Sequence, residues 1–312
     1  MITKLKKSLM KKFFSFENVA LIGVTYNSAG LADHFALTAK LFRHVWIVDN
    51  ASLDNTVSEF HRAIPHAKIM ALSENTGFGP ANNRGFEASL SHCGRALFLN
   101  PDCQIDEASV DRLLRAMNSD ASVAIASPVV FSTVTHGANL KFRDYTLGYG
   151  NAQVMSQEYS SELSSVMAEA CLDGACFAVD SRQFRIIGAF DENIFMYSEE
   201  DDISLRLSRH GLKKVTVRDA HAHHIGGASS GASLGLNLRK KYHHRWSVIY
   251  MTHKYLGARQ SFLLSAKTII TFPLAVMIYG ITFNKKHLIK WLAWFLAACD
   301  GLFVTKVFRK LL

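Results

Sequence analysis

From Asn18 the chain alternates short, continuously apolar runs with amphipathic stretches of helical length, and no other feature limits its folding as strongly. Asn18 to Thr25, His44 to Val48, Lys68 to Leu72 and Arg95 to Leu99 predict strands, each too evenly apolar for a sheet with one face in water. Between them, Leu31 to Phe42, Asp54 to Ala63 and Pro80 to Ser91 predict helices, Pro80 suiting a first helical turn. Repeated strand-helix-strand units predict an α/β fold, a mostly parallel sheet with right-handed crossovers and helices on both faces. Val123 to Ala126 predicts a fifth strand. The polar stretch 132–165, rich in Gly and Ser, predicts a functional or disordered loop, and Ala170 to Val179 a return to order.

In such a sheet ligands bind beyond the carboxyl ends of the strands. Those ends carry Thr25-Tyr26-Asn27, Asp49-Asn50, Asn75-Thr76-Gly77-Phe78-Gly79 and Asn100-Pro101-Asp102. Each group alone also reads as ordinary turn chemistry. Four of them on one edge of one sheet make that edge the candidate site.

Charge divides the chain by position. The 312 residues carry 35 Lys and Arg against 26 Asp and Glu, a net +9. Residues 1–12 hold five Lys and no acid, and residues 239–312 hold thirteen bases against Asp300 alone, which leaves the body between with 17 bases, 25 acids and −8. An acidic body between basic, apolar ends argues against a nucleic-acid binder and for ends that meet an anionic surface. The five cysteines form no Cys-x-x-Cys pair, so a reducing compartment is expected. The Lys-rich start resembles a signal peptide until Glu17 and Asn18 interrupt it, and a secreted chain is not expected.

Glu199-Glu200-Asp201-Asp202 places four carboxylates in a row. A helix start explains one or two of them, with Ser198 as N-cap and Asp201 completing a capping box. Four adjacent like charges also raise one another's pKa, which suits a general base working near neutrality. Asp102, directly after a strand, can hold Mg²⁺ or Mn²⁺ through one side chain while substrate phosphates and water fill the remaining positions. His221, His223 and His224 precede Gly226-Gly227-Ala228-Ser229-Ser230-Gly231, which reads either as a surface loop or as a cradle for a diphosphate. Their spacing matches no structural zinc module, and Gly77-Phe78-Gly79 is not a dinucleotide fingerprint.

The order of Val-Thr-Tyr-Asn (24–27), Val-Asp-Asn-Ala-Ser (48–52), Asn-Thr-Gly-Phe-Gly-Pro-Ala-Asn-Asn-Arg-Gly (75–85), Leu-Asn-Pro-Asp (99–102), Gly-Ala-Cys (174–176), Gly-Ala-Phe-Asp-Glu (188–192) and Met-Tyr-Ser-Glu-Glu-Asp-Asp-Ile-Ser-Leu-Arg-Leu (196–207) resembles the family 2 glycosyltransferases. Within them it is most similar to the rhamnosyltransferase-like enzymes of bacterial surface polysaccharide synthesis, and the likeness covers about residues 18–230. The resemblance implies a GT-A, Rossmann-like fold. It implies that Thr25, Tyr26 and Asn27 line the nucleotide pocket, that Asp49 takes the base or ribose, and that Asn75, Gly77, Phe78 and Asn83 shape the loop over the nucleotide beside Arg84. Asn100 and Asp102 stand at the family's Asp-x-Asp position, with Asp102 as main metal ligand. Glu199, Glu200 and Asp202 fall in the catalytic motif, with Glu200 as general base and Asp202 supporting it. Gly174 and Ala175 lie on the acceptor side, and His224 reaches the metal or the diphosphate.

Two departures stand out. The motif's catalytic Asp is Glu200 here, one methylene longer, so a one-residue slip would hand the role to Asp201. Of the Gln-x-x-Arg-Trp motif of processive synthases only Arg245-Trp246 is present, with Tyr242 at the Gln position, which favours addition of one sugar. The expected activity is inverting, metal-dependent transfer of rhamnose from dTDP-rhamnose to a lipid-linked oligosaccharide for lipopolysaccharide or O-antigen. The alternatives are a UDP-hexose or UDP-N-acetylhexosamine donor, or an inactive assembly component.

The ends complete the expected layout: a basic amphipathic segment at 1–16, a catalytic domain at 17–237 and a basic, apolar helical region at 238–312. Ile2, Leu5, Leu9 and Phe13 recur at helical spacing among the lysines. Thr268 to Phe283 is uncharged but short for a span, so it and the segment from Leu288, with Trp291, Trp294, Lys306, Arg309 and Lys310, predict helices lying in the interface. A peripheral protein on the cytoplasmic face of the bacterial inner membrane is expected.

Overall fold

The computed structural model describes residues 14–132, 139–143, 154–158, 166–168, 172–226, 234–282 and 284–302, with the backbone alone from 132 to 168. Residues 1–13 of the expected N-terminal amphipathic segment, most of the Gly-Ser loop after Gly226, and Lys306, Arg309 and Lys310 lie outside the described residues, while Phe16, expected in that segment, begins the first strand.

The first half alternates as its hydrophobic runs require: β1 (Phe16–Thr25), α1 (Ala32–Ala39), β2 (Phe42–Asp49), α2 (Thr56–Ala63), β3 (Lys68–Ala71), α3 (Phe78–Ser89) and β4 (Arg95–Leu99). The helix expected to reach Phe42 ends at Ala39, because Phe42 is fully buried as the first residue of β2. After it come β5 (Cys103–Ile105), α4 (Glu107–Ser119), β6 (Val123–Ser132), β7 (Asn139–Arg143), β8 (Val154–Glu158), β9 (Val166–Ala168), β10 (Cys176–Asp180), α5 (Ser181–Ile186), α6 (Glu199–Arg209) and β11 (Lys213–His224). One sheet runs β3-β2-β1-β4-β10-β6-β11-β5, with β9 also on β11, while β7 and β8 pair separately. The β3-β2-β1-β4 half is parallel. Strand β10 enters antiparallel between β4 and β6, which the alternation of the first hundred residues could not announce.

Successive residues of β1 feed two cores on opposite faces of the sheet. Val19 and Leu21 join Phe35, Phe42, Phe60 and Leu113, while Ala20 and Ile22 join Phe86, Phe98, Phe177, Phe184 and Phe190. Burial on both faces explains why the run is apolar without alternation. The second core is a ring cluster: Phe86 meets Phe184 edge-on at 5.1 Å, and Phe98 meets Phe190 at 5.3 Å and 84°. Such contacts contribute about 0.5–1.5 kcal/mol beyond their area burial. Phe190 is the outer member, and it anchors the loop that leads to α6.

Three long helices follow, α7 (Leu234–Leu256), α8 (Ala258–Ile281) and α9 (Lys285–Leu302). Helices α7 and α9 pack through Tyr242, Trp246, Ala293 and Ala297, and α8 joins α9 where Phe272 stacks on Phe295 at 4.4 Å. Tyr242 donates to buried Asp300 at 2.5 Å, and Arg245 donates to Thr268 while stacking over Trp294. Helix α8 is longer than the uncharged run Thr268 to Phe283, because it passes through Pro273 and extends back over Lys267 to Ala258. Its 24 residues reach about 36 Å. By length and composition it is the one helix among the described residues that could cross a membrane.

Candidate active site

A cavity of about 540 Å³ opens at the carboxyl ends of β1 and β4. Its walls come from the strand ends, the loop 75–78, the segments 173–175 and 195–200, the end of β11 and the first half of α7. Thr25, Tyr26, Asn75, Gly77, Phe78, Asn100, Asp102, Gly174, Ala175, Glu199, Glu200 and His224 all line it. Asn27, Asp49, Asn83, Arg84 and Asp202 do not.

Asp102 and His224 meet because β5 and β11 pair antiparallel, with His224 opposite Cys103. His224 Nε2 lies 3.1 Å from Asp102 Oδ1, and Ile225 donates its amide to the Asp102 carbonyl at 2.9 Å. The hydrogen bond to Asp102 raises the His224 pKa against the opposing effect of burial. Asp173, whose carboxylate accepts from the Ala175 amide, adds to the same field. Among the described residues no group of three or more His, Cys, Asp or Glu forms a closed metal site. One buried carboxylate and one imidazole suit a hard divalent ion that draws its remaining ligands from a diphosphate and water, so the donors fit Mg²⁺ or Mn²⁺ in that open form.

The carboxylates begin α6. Tyr197 and Ser198, immediately before it, both adopt left-handed backbone, with φ of 72° and 69°. Two non-glycine residues in that region store strain of the kind held at functional sites. The Ser198 hydroxyl makes no capping bond, so the capping box expected with Asp201 is not formed. Glu199 is only 4% exposed, and burial together with the neighbouring Glu200 pushes its pKa well above the usual carboxylate range. Its Oε1 has no hydrogen-bond partner among the described residues. The Glu200 carboxylate lies against Gly174, where a Cβ would come within 2.1 Å of Oε1, so the glycine leaves the space this carboxylate occupies. Asp202 is fully buried beneath the helix and pairs with Arg206 at 2.7 Å and Lys254 at 2.5 Å, with the Tyr255 hydroxyl donating at 2.6 Å.

Around the loop 75–78 and the ends of β1 and β2, residues outside the cavity shape its walls. Asp49 accepts from the Thr25 hydroxyl at 2.9 Å and from the amide and hydroxyl of Ser52. Asn27 receives the Leu53 amide at 2.8 Å and donates its own amide to Ser52. Asn83 binds Phe190 twice, donating to its carbonyl and accepting its amide, which ties α3 to the loop before α6. Arg84 is exposed. Gly77, at φ 100°, presses against Phe195, where a Cβ would lie 2.3 Å from the carbonyl oxygen that accepts the Phe78 amide.

Sequence reasoning placed Asn50 at a strand end without giving it a role, and did not single out Asp173 or the face of α7 that lines the cavity. Asn50 donates to the Gly77 carbonyl and accepts the Thr76 amide, holding the loop 75–78 from beneath. Leu236, Arg239, Lys240 and His243 of α7 line the cavity at a spacing of three and four residues. The same stripe continues in Ser247, which donates to Met196, in Tyr250, which donates to Asp191, and in Lys254. These contacts cross the 237/238 boundary expected from composition. The helical spacing of that stripe was the available signal, and the surrounding basic and apolar residues masked it. Arg245 and Trp246, on another face, are engaged with Thr268, Trp294 and Tyr250.

A mixed sheet whose parallel half carries Asp102 beyond a strand end, with the carboxylate-bearing helix α6 facing it across one cavity, is the arrangement of the GT-A fold. A crystal structure of GalNAc-T7 with UDP, GalNAc and Mn²⁺ shares this fold at a TM-score of 0.56 and 12% identity, covering 78% of this chain, which spans about half (48%) of that one. The family model described as Glycosyl transferase family 2 matches residues 24–163, and relatives named as rhamnosyltransferases support a rhamnosyltransferase-like branch of that family. An N-acetylglucosaminyl-diphospho-decaprenol L-rhamnosyltransferase of Mycobacterium tuberculosis is 24% identical over 270 residues, 76% of this chain and 85% of that protein. The dTDP-rhamnosyl transferase RfbF of Shigella flexneri is 22% identical over 279 residues, 86% of each.

Proposed function

We propose that the protein is an inverting glycosyltransferase that moves a single rhamnose from dTDP-rhamnose to a lipid-linked glycan in surface polysaccharide synthesis. One observation carries this reading: Glu200, seated against Gly174, shares a cavity with Asp102 and His224. The acceptor hydroxyl attacks the anomeric carbon as the bond from that carbon to the diphosphate oxygen breaks, and Glu200 takes the hydroxyl proton. No protein nucleophile is needed. Asp102 and His224 would hold Mg²⁺ or Mn²⁺, which when bound neutralises the leaving diphosphate. The names of the Shigella and mycobacterial relatives support the donor and a lipid diphosphate acceptor, and the Mn²⁺ in the GalNAc-T7 structure supports the metal.

The site of action in this reading is the cytoplasmic face of the inner membrane, with α8 and α9 in contact with lipid. Phe262, Ile270, Leu274, Met277 and Ile281 of α8 are each more than half exposed, and Arg259, Lys267, Lys285, Lys286 and Lys290 lie among and beyond them on the two helices. Incubating the purified chain with dTDP-rhamnose, a polyprenyl diphosphate N-acetylglucosamine acceptor and Mn²⁺ tests the reading. Extension of the acceptor by one sugar is expected. Failure to extend it, with transfer from a UDP-sugar instead, would replace the donor.

A further inference from the structure

The described part of the cavity wall carries four carboxylates, Asp102, Asp173, Glu199 and Glu200. Even with Glu199 protonated, the remaining three and a bound diphosphate bring about five negative charges together, and one divalent ion offsets two of them. Such a site needs further cations, and Arg239 and Lys240 of α7 line the same cavity. Arg239 is seated: its guanidinium lies 5.3 Å from the centre of the Phe195 ring, on which His243 also stacks at 4.1 Å. Phe195 is the residue against which Gly77 packs and whose carbonyl holds Phe78, so the guanidinium is fixed beside the loop 75–78.

From this we infer that Arg239 and Lys240 form a diphosphate-binding pair, contributed by a helix whose composition suggested only membrane contact. The inference rests on the transferase reading for its place in a reaction but not for its chemistry. A planar guanidinium beside an ammonium suits two adjacent phosphates, the first by paired hydrogen bonds and the second by point charge. Two diphosphates could occupy it, that of the departing nucleotide or that of the lipid-linked acceptor.

The test compares the full chain in detergent with Arg239→Gln/Lys240→Gln and with Arg239→Lys, after thermal melting shows that all three fold. Binding of dTDP, pyrophosphate, a polyprenyl diphosphate and the matching polyprenol is measured with Mn²⁺ by calorimetry. The double variant is expected to lose about tenfold or more in affinity for a diphosphate, with the Lys variant between it and the wild type and polyprenol binding unchanged. Loss for dTDP assigns the pair to the donor, and loss for the polyprenyl diphosphate alone assigns it to the acceptor. Wild-type affinity of the double variant for both, or no diphosphate binding by the wild type, overturns the inference. A wild type that binds pyrophosphate through this pair yet transfers no sugar would instead overturn the transferase reading.

Discussion

Lys254 of α7 bridges two acidic residues that flank the proposed catalytic segment, with its ammonium 2.7 Å from Asp191 and 2.5 Å from Asp202. Glu199 and Glu200 lie between those two points. Burial raises the Asp191 pKa, but hydrogen bonds from Lys254, the Asn193 amide and Tyr250, together with the charge of Lys254, leave a net lowering. The bridge therefore fixes both ends of residues 191–202 against one helix. Lys254→Met should cost about 2–4 kcal/mol, because it leaves the fully buried Asp202 short of one counter-ion while Arg206 remains. Chemical denaturation reads the loss, and a fall in kcat larger than any rise in KM would show that the catalytic segment has shifted.

Gly174→Ala separates geometry from stability. The added methyl meets the end of the Glu200 side chain, which can swing away, so the melting temperature should change little. Displacing the carboxylate by about 1 Å is expected to lower kcat on the order of 100-fold. A variant that melts normally and turns over normally would mean that the position of Glu200 over Gly174 does not matter to the reaction.

Glu199 gives a pH signature. Its pKa is raised in the folded protein, so the folded state holds a proton that the unfolded chain releases, and this residue lowers stability as pH rises above the ordinary carboxylate range. Glu199→Gln, which mimics the protonated form, should match the wild type near pH 4 and exceed it increasingly toward alkaline pH. Parallel stability curves across that range would contradict a buried, protonated Glu199.

Membrane contact through α8 predicts that the wild type sediments with vesicles of anionic lipid and is released by high salt or mild detergent. Ile270→Asp/Met277→Asp, on a face already exposed, should leave the fold intact and weaken sedimentation, since each charge opposes burial in the hydrocarbon. Resistance of the wild type to carbonate extraction would make α8 a span rather than an interfacial helix.

The parallel half of the fold was legible because each of its strands is buried on both faces, which writes itself into Asn18 to Thr25 or Arg95 to Leu99 as unbroken apolar runs. Strand β10 was not, since antiparallel insertion between β4 and β6 depends on pairing across a long sequence gap. The cavity wall was legible where polar groups sit at strand ends, as with Asn100 and Asp102, and in Glu199 and Glu200 of the carboxylate run. Asp49, Asn83 and Asp202 share residue types with cavity groups, and only packing reveals that they hold the walls. Helix α7 was hidden because one face lines the cavity and holds residues 191–202 while another packs on α8 and α9, and composition averages the two.

The assignment of Glu200 as base is tested most directly by Glu200→Gln, with turnover of the nucleotide sugar used by the wild type measured beside binding of that donor. Loss of the proton acceptor predicts a fall in kcat of about 10²–10⁴-fold with donor affinity within about twofold of wild type. Turnover near the wild-type rate would contradict it.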